Sequence, residues 1–102
     1  MTAAAPRLVR SMLFVPASRP DMMPKAAASA ADAVCLDLED AVVPAEKAAA
    51  RAHAVHALRT LDFGARTRIL RINAADTSYA YRDLVEVIEG AGDRLDLLRA
   101  RP

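Results

Sequence analysis

The chain contains a single cysteine, Cys35, so it can form no internal disulfide and offers no cysteine-rich zinc site. That usage sits most easily with a reducing cytoplasm. Tryptophan is absent and there are only two tyrosines and two phenylalanines, too few rings to interleave with cations as single-strand nucleic-acid binders require. Neither charge sign dominates: 14 Lys and Arg stand against 13 Asp and Glu, a net charge of +1, and the basic residues are scattered. Nothing electrostatic points to nucleic acid or a membrane surface. No stretch reaches the roughly 18–20 apolar residues of a membrane span. The opening M-T-A-A-A-P-R-L-V-R has no apolar core ahead of its first charges, unlike a secretory signal. Glycine-rich phosphate loops and internal repeats are also missing.

What is present suits one small folded domain: 102 residues, 54% apolar and 26% charged. Residues 1–8 read as a flexible leader and 9–102 as the domain. Residues 9–15, V-R-S-M-L-F-V, form an apolar run stopped by Pro16, a buried strand. S-R-P-D then opens a helix, with Ser18 as cap, Asp21 completing a capping box and Pro20 where its missing N–H is harmless; the regular helix is expected over 22–31. A second strand covers 33–38. A second helix runs from Pro44, with Glu46 in its first turn, to a left-handed stop at Gly64. Its packing face reads as Ala48, Ala52, Val55 and Leu58, with Lys47, Arg51 and Arg59 off it. A third strand spans 68–73, a third helix 81–89 with Gly90 and Gly92 ending it, and a fourth strand starts at 95–98. Alternating strands and helices specify a parallel sheet, either part of a (β/α)8 barrel or an open doubly wound sheet. A whole barrel takes roughly 250 residues, so these three and a half units are less than half of one.

The second strand ends in three acids, L-D-L-E-D, which is unusual because an unpaired carboxylate is costly to bury. Period-two alternation puts Val34, Leu36 and Leu38 under the helices and turns Cys35, Asp37 and Glu39 to the other face. The third strand divides into Leu70 and Ile72 against Ile69, Arg71 and Asn73. Two carboxylates, a guanidinium and an amide thus share one face at the C-terminal strand ends, where α/β sheets bind ligands. Asp40 lies further out, in the loop. The same residues could be a buried ion pair that serves only the fold, although such pairs add little net stability. The first loop places Arg19 and Lys25 beside a helix start, an arrangement open to anions but common among solvated charges.

Three motifs in order, R-S-M-L-F-V-P-A-S-R-P-D, D-A-V-C-L-D-L-E-D-A-V followed by K-A-A-A-R, and R-I-N-A-A-D-T, give the chain a resemblance to the N-terminal part of the citrate lyase beta-subunit and malyl-CoA lyase family. The resemblance covers about residues 10–98. It implies the N-terminal portion of a TIM-type (β/α)8 barrel and a Mg2+-dependent carbon–carbon lyase that cleaves citryl-CoA or malyl-CoA to acetyl-CoA and a 2-oxo acid. It further implies that Arg71 holds the oxo-acid carboxylate or the enolate oxygen, that Glu39 and Asp40 lie near the metal and its waters, and that Ser18, Arg19 and Lys25 take the CoA phosphates. Asp37 and Asn73 fall in the same substrate-binding set. The full-length family implies a homo-oligomer. The chain departs from the family at Ala17, where glycine is usual. The family's direct metal ligands, a Glu and an Asp on later strands, have no counterpart here. The expectation is therefore a truncated, frameshifted or divided gene product, inactive and self-associating alone; a non-catalytic relative keeping part of a CoA site is the alternative.

Three other features carry bland expectations. Cys35 reads as a buried spectator thiol. His53 and His56, three apart on the second helix, read as solvated rather than metal-ligating, since no third ligand is near. Asp76, Thr77 and Ser78 read as a turn and helix cap, and Tyr79 and Tyr81 as packing residues.

Overall fold

The computed structural model describes residues 10–101; the expected leader and Val9 lie outside them. Four strands, β1 (Met12–Pro16), β2 (Ala33–Asp37), β3 (Thr67–Arg71) and β4 (Leu97–Arg99), form one parallel sheet in the order β1-β2-β3-β4. Between them run α1 (Met23–Ala27), α2 (Lys47–Thr60) and α3 (Ser78–Ala91). Every crossover advances the sheet in the same direction. An open doubly wound sheet reverses direction at a switch point, so this order is that of a barrel wall.

The helices pack on one face of the sheet. Val34, Leu36 and Leu38 of the β2 segment and Leu70 and Ile72 of the β3 segment form a single buried core with Ala50, Ala54, Ala57 and Leu58 of α2 and Val87 and Ala91 of α3. The opposite face carries only a small buried group, Ala33, Cys35 and Ile69, with Met12 against it. There Phe14 and Leu97 remain 44% and 53% exposed. In a closed barrel this face is the interior, where inward side chains stack in layers. The register supplies such layers, with Phe14, Cys35, Ile69 and Leu97 in one and Pro16, Asp37, Arg71 and Arg99 in the next.

Several local expectations are corrected. Ser18 does not cap the first helix; Arg19 stands at the cap of a 3-10 turn, Pro20–Met22, with no side-chain cap bond, and α1 proper ends at Ala27. Asp21 is drawn to the adjacent cation instead, accepting from Arg19 Nε at 3.1 Å and Nη2 at 3.0 Å. Helix α2 stops at Thr60 rather than at Gly64. Gly64 does adopt φ +58, but in the following turn, where its N–H donates to Asp62 at 2.8 Å. The packing face of α2 is also rotated: Ala48 and Ala52 are exposed, whereas Lys47 and Arg51 are buried with Ala50, Ala54, Ala57 and Leu58. Both cations find acceptors inside, which removes the penalty that normally keeps them in water. Helix α3 passes through Gly90 without ending, and a Cβ there would come within 2.9 Å of Val55 Cγ1. That glycine lets α2 and α3 approach closely and does not act as a stop signal.

Candidate functional site

The C-terminal end of the sheet is held together by backbone bonds that continue each ladder one step into the loops. Ala17 N–H donates to the Asp37 carbonyl at 2.9 Å, Leu38 N–H to the Arg71 carbonyl at 2.9 Å, and Ile72 N–H to the Arg99 carbonyl at 2.9 Å. Asp37 and Arg71 are register partners on adjacent strands and point to the same face. Arg71 Nε donates to Asp37 Oδ1 at 3.0 Å and Nη2 to Oδ2 at 2.7 Å, a two-pronged pair in which Asp37 also accepts Glu39 N–H at 2.8 Å. Such fork-to-fork pairing fixes the guanidinium plane. Phe14 lies beneath, its ring centroid 5.2 Å from the Arg71 guanidinium carbon.

Burial raises the Asp37 carboxyl, but the bonds from Arg71 and from the Glu39 amide lower it further, leaving it below its ordinary value. The same bond to Asp37 raises Arg71, which is cationic at any working pH. Cys35, in the layer beneath, is fully buried, and burial followed by the Asp37 charge pushes its thiol up to about 11. It is an inert spectator, as its apolar surroundings imply.

All three acids gather round Arg71. Besides the Asp37 pair, Glu39 Oε1 lies 3.8 Å from its Nε and Asp40 Oδ2 3.8 Å from its Nη2. The loop position of Asp40 therefore does not separate it from the group. A further cation, Arg101, was invisible to the strand pattern because it follows β4: its Nε is 3.0 Å from Glu39 Oε1 and its Nη2 binds Asp40 Oδ2. Arg71 Nη1 has no hydrogen bond among the described residues.

Asn73 does not join this group. The strand ends at Arg71, so alternation no longer governs two residues later. Its amide turns to the helix side, donating to the Leu38 carbonyl at 3.1 Å and Asp83 Oδ2 at 2.6 Å while accepting from Lys47 Nζ at 2.6 Å. On the first loop, Ser18 is half-buried, Arg19 is committed to Asp21 and Lys25 is exposed. His53 is not simply solvated, since its Nδ1 lies 3.1 Å from the Ala17 carbonyl and docks α2 on that loop. Thr77 precedes α3 in extended conformation without a side-chain cap bond, its hydroxyl donating to the Ala74 carbonyl at 2.7 Å.

Residues 10–95 match the family model described as HpcH/HpaI aldolase/citrate lyase. The chain belongs to that family. L-malyl-CoA/beta-methylmalyl-CoA lyase of Cereibacter sphaeroides is 54% identical over 87 residues, which are 85% of this chain and 27% of that protein. Citrate lyase subunit beta of Leuconostoc mesenteroides is 40% identical over 91 residues, 89% of this chain and 30% of that protein. Among solved structures, the citrate lyase beta subunit of Mycobacterium tuberculosis complexed with oxaloacetate and magnesium superposes with a TM-score of 0.64 at 44% identity, covering 78% of this chain and 33% of that one. CitE of the same organism with magnesium, acetoacetate and coenzyme A gives 0.66 at 44% identity, covering 81% and 30%. The chain thus spans about a third or less of the length of these relatives. Its sheet is the α/β framework of the N-terminal part of their barrel-type fold.

Among the described residues, no group of three or more His, Cys, Asp or Glu is arranged to hold a metal. Magnesium requires near-octahedral oxygen ligation, and the two outer acids, Glu39 and Asp40, are paired with Arg101. These residues do not complete a magnesium site by themselves. No helix among the described residues is long and apolar enough to cross a membrane.

Proposed function

We propose that the chain supplies the oxo-acid-binding part of an acyl-CoA carbon–carbon lyase site, of the citryl-CoA or malyl-CoA cleaving kind, and does not complete the reaction alone. One observation carries the reading. Asp37 occupies Nε and Nη2 of Arg71, aligning the guanidinium while Nη1 keeps its donors. A cation so fixed suits a carboxylate or a developing enolate oxygen, because it needs no reorganisation when charge appears. The relatives support the class of ligand, since the solved beta subunit holds oxaloacetate and magnesium and CitE holds acetoacetate and coenzyme A.

In this reading Asp37 aligns Arg71, Arg71 holds the oxo acid, and Glu39 and Asp40, once released by Arg101, would face the waters of a magnesium ion whose direct ligands come from outside the described residues. Ser18, Arg19 and Lys25, on the segment anchored to the Asp37 carbonyl through Ala17, receive the phosphates of coenzyme A. Arg19 must exchange Asp21 for a phosphate to do so, an inexpensive exchange because that pair is exposed. A cytoplasmic setting fits the lone reduced cysteine, and assembly as a homo-oligomer follows the family resemblance.

Incubation of the chain with malyl-CoA or citryl-CoA and Mg2+, with free acetyl-CoA as the readout, tests the proposal. No release is expected. Turnover that Arg71→Ala abolishes would overturn the claim that these residues do not complete the reaction alone, and turnover that survives Arg71→Ala would overturn the role of Arg71 as well.

A further inference from the structure

Lys47 and Arg51 belong to a buried polar network that the Arg71 site does not use. Lys47 is only 7% exposed, yet none of its partners among the described residues is a carboxylate. Its ammonium donates to the Leu38 carbonyl at 3.0 Å, the Glu39 carbonyl at 3.2 Å and Asn73 Oδ1 at 2.6 Å. Three N–H donors meet three acceptors, so the group is fully satisfied without a neutralising partner in contact. The counter-charge lies one residue away. Asp83, wholly buried, accepts from the Asn73 side chain at 2.6 Å and backbone at 2.8 Å on one oxygen and from Arg51 Nε at 2.7 Å on the other.

A buried cation is costly, and helix-to-sheet contact alone is made more cheaply by an apolar side chain. What the cation adds is directional. Glu39 is gripped at both ends of its backbone, its N–H by Asp37 at 2.8 Å and its carbonyl by Lys47 at 3.2 Å and by the Val42 N–H of the same turn at 3.2 Å; of the two carbonyl contacts only Lys47 comes from another element. The sharp turn that carries Glu39 and Asp40 towards Arg71 is thereby tied to α2, and through Asn73 to the end of β3 and to α3. We propose that Lys47 is a positioning residue: its ammonium fixes the peptide units of Leu38 and Glu39 and so sets how Glu39 and Asp40 enter the site. This inference rests on the reading that those two acids serve the site.

The chain has only two lysines, so exposed Lys25 is an internal control. In a lysine-ammonium 1H–15N spectrum of the unaltered chain, the Lys47 signal is expected to exchange with water about tenfold or more slowly than that of Lys25, as loss of hydrogen bonds to a charged donor implies. In Lys47→Met, amide exchange at Glu39 should rise about tenfold while the strand interiors, residues 34–36 and 68–70, change little. Equal exchange of the two ammonium groups, or a Lys47→Met effect spread evenly over strand interiors and Glu39, would overturn the proposal. If Lys47→Met does not fold, the ammonium comparison decides. Neither readout needs turnover, so failure here leaves the role of Arg71 standing, and failure of the acetyl-CoA assay leaves the tether standing.

Discussion

Removing the Arg71 guanidinium while leaving Asp37 in place is the sharpest test of how the site is built. In Arg71→Ala the Asp37 carboxylate, whose side chain is only 3% exposed, loses both bonds from the cation and keeps only backbone N–H partners, Glu39 foremost, with no charge to offset its own. Breaking a buried pair from one side costs about 3–5 kcal/mol, and the 21% exposure of the Arg71 side chain favours the lower end, about 3 kcal/mol. For a domain of this size that lowers Tm by roughly 12–24 °C. The effect has a definite pH dependence. In the unaltered chain the folded Asp37 carboxyl lies below its ordinary value, so the pair contributes stability above the unfolded pKa of about 3.9 and loses it as pH falls through the folded value. In the variant the opposition of Arg71 to burial is gone and the folded carboxyl moves up, so the variant is weakened at neutral pH and relieved by acid. Urea unfolding followed by far-UV circular dichroism at pH 7 and pH 4, at equal ionic strength, should show the gap between the two proteins narrowing at the lower pH. A gap below about 1 kcal/mol at pH 7, the scale of a surface pair, or one indifferent to pH, would show that Asp37 does not depend on Arg71 for its charge.

Cys35 should react with Ellman's reagent only after unfolding, because it is buried and its thiol is raised to about 11; prompt reaction of the folded chain would contradict its place in the inner layer. The outer strand β4 and the outward side of α3 leave Leu97, Leu98, Leu84 and Ile88 exposed, so light scattering should give a mass above the 10.9 kDa of one chain, falling towards it in Leu97→Lys. A sharp, concentration-independent unfolding transition of a monomer would count against that self-association.

The strands were legible because each is a short apolar run bounded by polar or proline residues, and period-two alternation correctly put Asp37 on the face of Arg71, with the register between them supplied by the sheet. The same rule failed at Asn73, two residues past the end of β3, where the chain no longer alternates and Asp83 and Lys47 capture the amide. Charge misled the reading of α2. Lys47 and Arg51 were assigned to solvent because cations usually belong there, although they lie on the same helical stripe as Ala54 and Leu58. That spacing was the available signal, and trusting it over charge would have exposed the buried network. Ser18 was missed as a non-cap for a related reason: Arg19, one residue nearer, offers Asp21 a stronger partner than a backbone N–H. Arg101 could not be found from pattern at all, since its contact with Glu39 and Asp40 depends on β4 lying beside β3.

If residues 10–95 carry a working oxo-acid half of the lyase site, they can stand in for the same segment of a relative. Replacing the matching segment of the 54% identical malyl-CoA/beta-methylmalyl-CoA lyase with these residues tests it directly. The chimera is expected to release acetyl-CoA from malyl-CoA in the presence of Mg2+, and Arg71→Ala in the grafted segment is expected to lower kcat about 100- to 1000-fold, as loss of a charge-stabilising donor does elsewhere. A folded chimera without activity, or one whose activity survives Arg71→Ala, would contradict it.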